Sequence, residues 1–227
     1  MSPRLLDLFC GAGGASHGYV RAGFEVTGID LYPQPEYPYT FVQADWRAYL
    51  LAHADEYDFI HASPVCKGYS TMPASGSKWA REIPEVRGML KAAGLPYVIE
   101  NVRDARWDMI DPVQVCGSYF RLRVRRHRYF ESSMTITGTP CEHAWQDADK
   151  IYVRRGRYSV ANDSGVCPVN GNGGQLLDPT DRYFSLDPGE ELSLMREAMG
   201  IGWMSRVPLT QAIPPAYTEW IGRQLLL

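Results

Sequence analysis

Leu5-Leu-Asp-Leu-Phe-Cys-Gly-Ala-Gly-Gly14 is an apolar run that ends in a glycine turn, and the architecture can be read outward from it. Leu5 to Phe9 has the continuous apolar character of a strand buried on both faces. Cys10 to Gly14 turns the chain into a helix over Ala15 to Ala22, ended by Gly23. Glu25 to Ile29 predicts a second strand with Asp30 at its tip, and Tyr39 to Gln43 a third, followed by Asp45. Arg47 to Ala54 reads as a helix, Tyr57 to Ala62 as a strand, and Trp79 to Ala93 as a helix stopped by Gly94. Tyr97 to Ile99 starts the next strand and runs into Glu100-Asn-Val102. Strands alternating with helices imply a largely parallel sheet covered on both faces, an α/β doubly wound fold.

Beyond this the alternation weakens. Residues 135–182 are rich in Gly, Asn, Asp and Pro and read as a small β-rich or loop-rich insertion, anchored by Trp145, Tyr152, Val153, Tyr158 and Val160. Residues 1–134 with 183–227 then form the main unit. Asp187 to Met199 predicts a helix with Asp187 as N-cap, closed by Gly200 or Gly202; Pro214-Pro215 opens a final amphipathic helix through Leu226. At 227 residues, 45% of them hydrophobic, the chain can build a full core. A net charge of −3 means that any nucleic-acid contact must use a local patch. Five scattered cysteines without a CxxC pair, and no signal peptide before the first strand, fit reduced thiols in the cytoplasm. No apolar run approaches the length of a membrane span.

Four stretches carry chemistry. The glycine turn opens a helix, and Asp30 at the tip of the next strand can grip ribose hydroxyls. The turn is neither GxGxxG nor a Walker loop, so an adenosine without phosphates, such as S-adenosylmethionine, fits better than a dinucleotide or triphosphate. Ser63-Pro-Val-Cys-Lys-Gly-Tyr-Ser70 puts one thiol, Cys66, between a buried strand and a small-residue loop at the sheet's ligand edge. Glu100 ends a strand on that edge, where a carboxylate can act as an acid or pair with a base; Asn101 is read as holding the turn. Arg121 to Phe130 holds five arginines and no acid, and the alternation of Arg121, Arg123 and Arg125 around Leu122 and Val124 predicts a strand with one charged face that meets phosphates. Cys141-Glu-His143 with Cys167 offers three ligands at irregular spacing and no fourth, so no metal is expected. His17, His53 and His61 form no readable constellation.

In this order the segments resemble the DNA (cytosine-5) methyltransferases, over residues 4–131 and roughly 184–225. Leu6 to Gly14 looks like the family's cofactor loop, and Ser63 to Ser70 like its nucleophile motif, usually S-P-P-C-Q-G-F-S. Glu100-Asn-Val102 is the ENV motif unchanged, Arg126-His-Arg128 matches R-x-R, and Leu209-Thr-Gln-Ala-Ile-Pro-Pro215 is similar to the closing motif. The resemblance implies a Rossmann-like S-adenosylmethionine-dependent methyltransferase fold. It places Phe9, Gly11, Gly13, Gly14, Asp30, Leu31, Asp45, Trp46, Pro64, Gln211 and Ile213 around S-adenosyl-L-methionine. Asp30 would take the ribose and Asp45 the adenine amino group. Cys66, Glu100, Arg126 and Arg128 would be catalytic. Lys67, Ser70, Lys78, Arg121, Arg123 and Arg125 would contact duplex DNA around a flipped cytosine. Val65, Lys67, Val124 and Gln211 depart from the family pattern. Only about fifty residues stand where the family carries a larger recognition domain, as in compact bacteriophage-type members, which implies low or short sequence specificity. RNA, single-stranded DNA or a free cytosine nucleotide stay open as substrates, as does binding of cofactor or DNA without turnover.

Overall fold

The computed structural model describes residues 1–69, 80–148, 152–155, 158–161, 166, 167, 169 and 188–227. Strand β1 (Arg4–Leu8) is buried at all but its first residue and leads through the glycine turn into helix α1 (Gly14–Ala22), closed at Gly23. There follow β2 (Glu25–Asp30), β3 (Thr40–Gln43), α2 (Trp46–His53), β4 (Phe59–Ala62), α3 (Ile83–Ala93) and β5 (Tyr97–Asn101). Two strands, β6 (Val113–Val115) and β7 (Arg128–Ser132), complete a seven-stranded sheet of order β3-β2-β1-β4-β5-β7-β6. The first five strands are parallel, and β7 lies antiparallel between β5 and β6. The α/β, doubly wound expectation therefore holds. The third helix starts later than its apolar pattern suggests, because Pro84 stands at its first turn. A proline deeper in the helix would lose a hydrogen bond and clash with the preceding turn.

After β7 come α4 (His143–Ala148), the two-stranded antiparallel pair β8 (Tyr152–Arg155) and β9 (Tyr158–Ala161), α5 (Pro188–Met199), α6 (Arg206–Gln211) and α7 (Pro215–Leu225). The pair β8–β9 falls in the stretch read as a β-rich insertion; Asp187, the expected N-cap of α5, lies outside the described residues. The short helix α6 has no counterpart in the sequence reading, since six residues carry too little periodicity to announce themselves. The sheet-side segment extends past 134: Ile136 joins the core, Thr137 bonds Gln224 of α7, and Thr139 N–H donates to the Gln114 carbonyl (2.9 Å).

Apolar residues cover both faces of the sheet. One face packs Leu6, Leu8, Ile60 and Ile99 with Trp46 and Leu50 of α2 and Ile83, Val86 and Leu90 of α3. The other packs Leu5, Val26, Val98 and Phe130 with Tyr19 of α1 and Tyr217, Ile221 and Leu225 of α7. Helices α1 and α7 touch at Gly18, where an added Cβ would come within 2.1 Å of the Pro215 carbonyl. Such an approach admits only glycine. Among the described residues no helix is long and apolar enough to cross a membrane.

Candidate active site

Parallel strands point their carboxyl ends the same way, and the groups singled out by sequence gather at that edge. Phe9 and Gly11 follow β1 in left-handed backbone (φ 63° and 50°), and a Cβ at Gly11 would meet nothing within 4 Å. This is backbone open to an approaching ligand. Gly13 caps α1 and Gly14 is its first residue. Asp30, at the end of β2, accepts the Gly11 N–H (3.1 Å) on one oxygen and the Tyr32 N–H (3.0 Å) on the other. Asp45 is the N-cap of α2 and accepts from Arg47 and Ala48. Phe9 rests on buried Trp46 with ring centroids 5.3 Å apart, Pro64 is buried, and Leu31 stands exposed.

Cys66 is exposed at the start of a single 3-10 turn after β4. The loop that carries it is tied to β5. Asn101 Nδ2 donates to the Pro64 carbonyl (2.8 Å), and Ser63 lies near enough to Glu100 to favour its charged form. Asn101 thus holds the turn, as read from sequence. Glu100 is buried, and burial pushes its carboxyl above the usual range; Arg128, Ser63 and Arg126 oppose that rise. Arg128 Nε stands 3.0 Å from Glu100 Oε1, yet Oε1 has no hydrogen-bond partner among the described residues. A buried carboxyl whose protonated form is favoured by burial, with one oxygen free to bond, is suited to a heterocyclic base.

Arg126, on the far side of His127, donates to the carbonyls of Thr210 and Ala212 (3.2 Å to the latter). Burial and the neighbouring Arg128 push its pKa down to about 9. It therefore clamps the C-terminal segment across the ligand edge while its charge still reaches Cys66. Trp203 Nε1 bonds the Ala12 carbonyl (3.1 Å) from the same segment. Ile213 is buried beside it; Gln211 is exposed and borders a cleft of about 300 Å³ with Ala12, Glu36 and Pro208.

The charged strand expected over Arg121 to Arg125 is absent. Arg121 is left-handed (φ 59°), Leu122 N–H bonds Gly117 O, and Gly117 N–H bonds Arg125 O, so the segment is a looped turn. Leu122 and Val124 do face the core. A period of two reports alternate burial, and burial alone does not make a ladder. Arg121 lies over Trp145 (5.4 Å), and Arg125 bonds Gln146 (3.2 Å) and Asp147. Lys67 and Arg123 are engaged within the chain. Ser70 and Lys78 lie outside the described residues.

Two buried groups, His61 and Asp7, escaped the sequence reading. His61 links the Tyr19 hydroxyl (2.9 Å) to the Ser63 hydroxyl (2.7 Å), and burial pushes its pKa down to about 3, so the imidazole is neutral. Ser63 in turn stands near enough to Glu100 to favour its charged form. Asp7 of β1 bonds Ser16; burial, with Asp30 and Glu100 adding, raises its pKa to about 7. Neither has a local signal, because each sits on a strand that reads as plain core. The grouping of Cys141 and His143 with Cys167 is also corrected. Cys167 is buried beside Val124, Met195 and Met199, where its thiol is pushed up to about 12. Cys141 and His143 instead meet Cys116 and His127.

No protein-family model matches the chain, and no curated protein matches it. Solved structures do match. The strand order with its antiparallel β7 is that of a Rossmann-like α/β fold, which the chain shares with these structures. Among them, the chain is similar to a candidate DNA modification methyltransferase encoded within an E. coli prophage, at 16% identity and TM-score 0.56 over 99% of both chains. It is similar to the Dnmt2 methyltransferase of S. pombe at 13% identity and TM-score 0.61, covering 99% of this chain and 98% of that one. The Entamoeba histolytica methyltransferase EhMeth matches at 12% identity and TM-score 0.56, covering 100% and 97%. At these identities the likeness is one of fold.

Proposed function

We propose that this protein is a DNA (cytosine-5) methyltransferase that uses S-adenosyl-L-methionine and a covalent bond from Cys66 to the cytosine. The observation that carries the reading is the exposed Cys66 thiol on a loop that Asn101 ties to β5, the strand whose buried Glu100 pairs with Arg128. The cofactor fits the opposite half of the edge: open backbone at Gly11, the Asp30 carboxylate, and apolar walls from Phe9, Leu31, Trp46 and Pro64. When bound, it supplies a methyl group on a positively charged sulfur.

Carbon 5 of cytosine is a weak nucleophile until something adds at carbon 6. Cys66, as thiolate, adds there. Glu100, with its raised pKa, hydrogen-bonds the base at N3 and the amino group and donates a proton as the thiolate adds. Arg128 neutralises charge on the O2 side, and Arg126 adds positive charge near the thiol. Carbon 5 takes the methyl group, its proton passes to water, and the Cys66–carbon 6 bond breaks to release the thiolate as N3 returns its proton to Glu100. The base must leave the duplex to reach this pocket, and Lys67, Ser70, Lys78, Arg121, Arg123 and Arg125 would hold the surrounding phosphates. Residues 135–182 would act as a reduced recognition element, in a cytoplasm that holds the DNA substrate.

Bisulfite sequencing of DNA from cells that express the protein tests this directly: protected cytosines are expected, absent with Cys66→Ser. Labelled methyl transfer to duplex, single strand, RNA and dCMP assigns the substrate. No transfer to any of the four would sink the reading.

A further inference from the structure

We propose that Cys116, His127, Cys141 and His143 form a structural zinc site at the β6–β7 end of the sheet. One ligand atom from each residue lies within 4.8 Å of all the others. Cys116 Sγ is 3.3 Å from His143 Nε2, and Cys141 Sγ is 3.3 Å from His127 Nε2. Zinc bonds of about 2.0–2.3 Å give a tetrahedron with edges of about 3.3–3.8 Å. Two edges are thus at hand, and the remaining ones, none longer than 4.8 Å, need to close by at most about 1.5 Å.

The backbone brings these residues together. Cys116 directly follows β6, His127 directly precedes β7, and Cys141 and His143 stand at the entry to α4. Val115 pairs with Arg128 across the two strands, so the neighbours of both set the first pair side by side. Thr139 Oγ1 accepts the Cys116 N–H (3.0 Å), and its own N–H bonds Gln114, which draws the third segment against them. Gln114 Nε2 donates to Cys141 Sγ (3.3 Å), and the Ser118 hydroxyl lies 3.1 Å from Cys116 Sγ. Such donors hold thiolates in place around a metal.

Two sulfurs and two imidazole nitrogens are the ligand set of zinc, and four protein ligands leave no open position, so the role is structural. On binding, each thiol gives up its proton; that of Cys116 now points to the Arg125 carbonyl (3.3 Å). Two protons leave, two thiolate bonds form, and nothing is oxidised. His127 sits between Arg126 and Arg128, so the ion clamps the turn that carries both arginines and pins α4 to the sheet. The site does not depend on the methyltransferase reading.

The test uses untagged full-length protein, purified under reducing conditions without chelator, with metal measured by mass spectrometry. About one zinc per chain is expected. Cobalt(II) in its place should give the visible bands of a tetrahedral site with thiolate charge transfer. Cys141→Ser and His143→Ala, both outside the buried core, should each weaken zinc binding by more than about 100-fold. Cys167→Ser and Cys66→Ser should leave the stoichiometry unchanged. Chelation should lower the melting temperature of the wild type to that of Cys141→Ser. Protein that takes up neither metal after reconstitution, that carries a Cys116–Cys141 disulfide instead, or that keeps full zinc in both variants would overturn the proposal.

Discussion

The two halves of the sheet's ligand edge are built in opposite ways. Along β1 to β5 each group comes from a short contiguous stretch at the end of one parallel strand: Phe9 to Gly14, Asp30, Asp45, Cys66, Glu100. Around β6 and β7 the cluster of Cys116, His127, Cys141 and His143 comes from three segments folded together. A parallel strand has one outcome for its carboxyl end, so a motif read there is already placed. An antiparallel edge is assembled by loops, and nothing in the spacing of four ligands says that they meet.

That contrast can be broken one half at a time. Cys66→Ser should lower methyl transfer by more than about 1,000-fold with zinc content intact; loss of both together would mean that the halves are not separate. Glu100→Gln should lower turnover by about 100-fold and flatten its fall towards high pH, since the raised carboxyl no longer titrates. A pH–rate profile identical to that of the wild type would remove Glu100 as the acid.

Asp7→Asn probes the parallel half by stability. In the folded chain Asp7 holds its proton up to about pH 7, against 3.8 for a free carboxyl. The folded state therefore binds the proton more tightly than the unfolded one, and the wild type loses stability as pH rises across that window. The variant should gain on the wild type by about 1 kcal/mol per pH unit between those values. His61, pushed down to about 3, works with the opposite sign, losing its contribution as pH falls below 6.5; being common to both proteins, it cancels. A flat difference in denaturant midpoints would show Asp7 ionised. The smallest effect is expected where α7 bridges the two halves, on α1 at Gly18 and through its Tyr217 hydroxyl on the Arg126 carbonyl (2.9 Å). Gly18→Ala should cost about 1–3 kcal/mol by thermal melting, because its Cβ meets backbone that cannot step aside.

The same contrast governs what was legible. Alternating apolar runs and helix caps announced β1 to β5 because local pattern and burial agree there. They misled at Arg121 to Arg125, where Leu122 and Val124 alternate with charge in a turn. They were silent on the His61 and Ser63 chain, whose far partner, Tyr19, lies on α1.

By itself, the sequence determined the doubly wound sheet, the glycine turn with Asp30, and the thiol and carboxyl at neighbouring strand ends, because each depends on a few consecutive residues. Only the tertiary structure decided which side chains share an environment. It buried Glu100 and Asp7 and so raised their pKa values, turned Arg126 onto the Thr210 and Ala212 carbonyls, and took Cys141 and His143 from Cys167 to Cys116 and His127. Proximity and desolvation arise from packing between segments far apart in the chain, and no local pattern of residues encodes them.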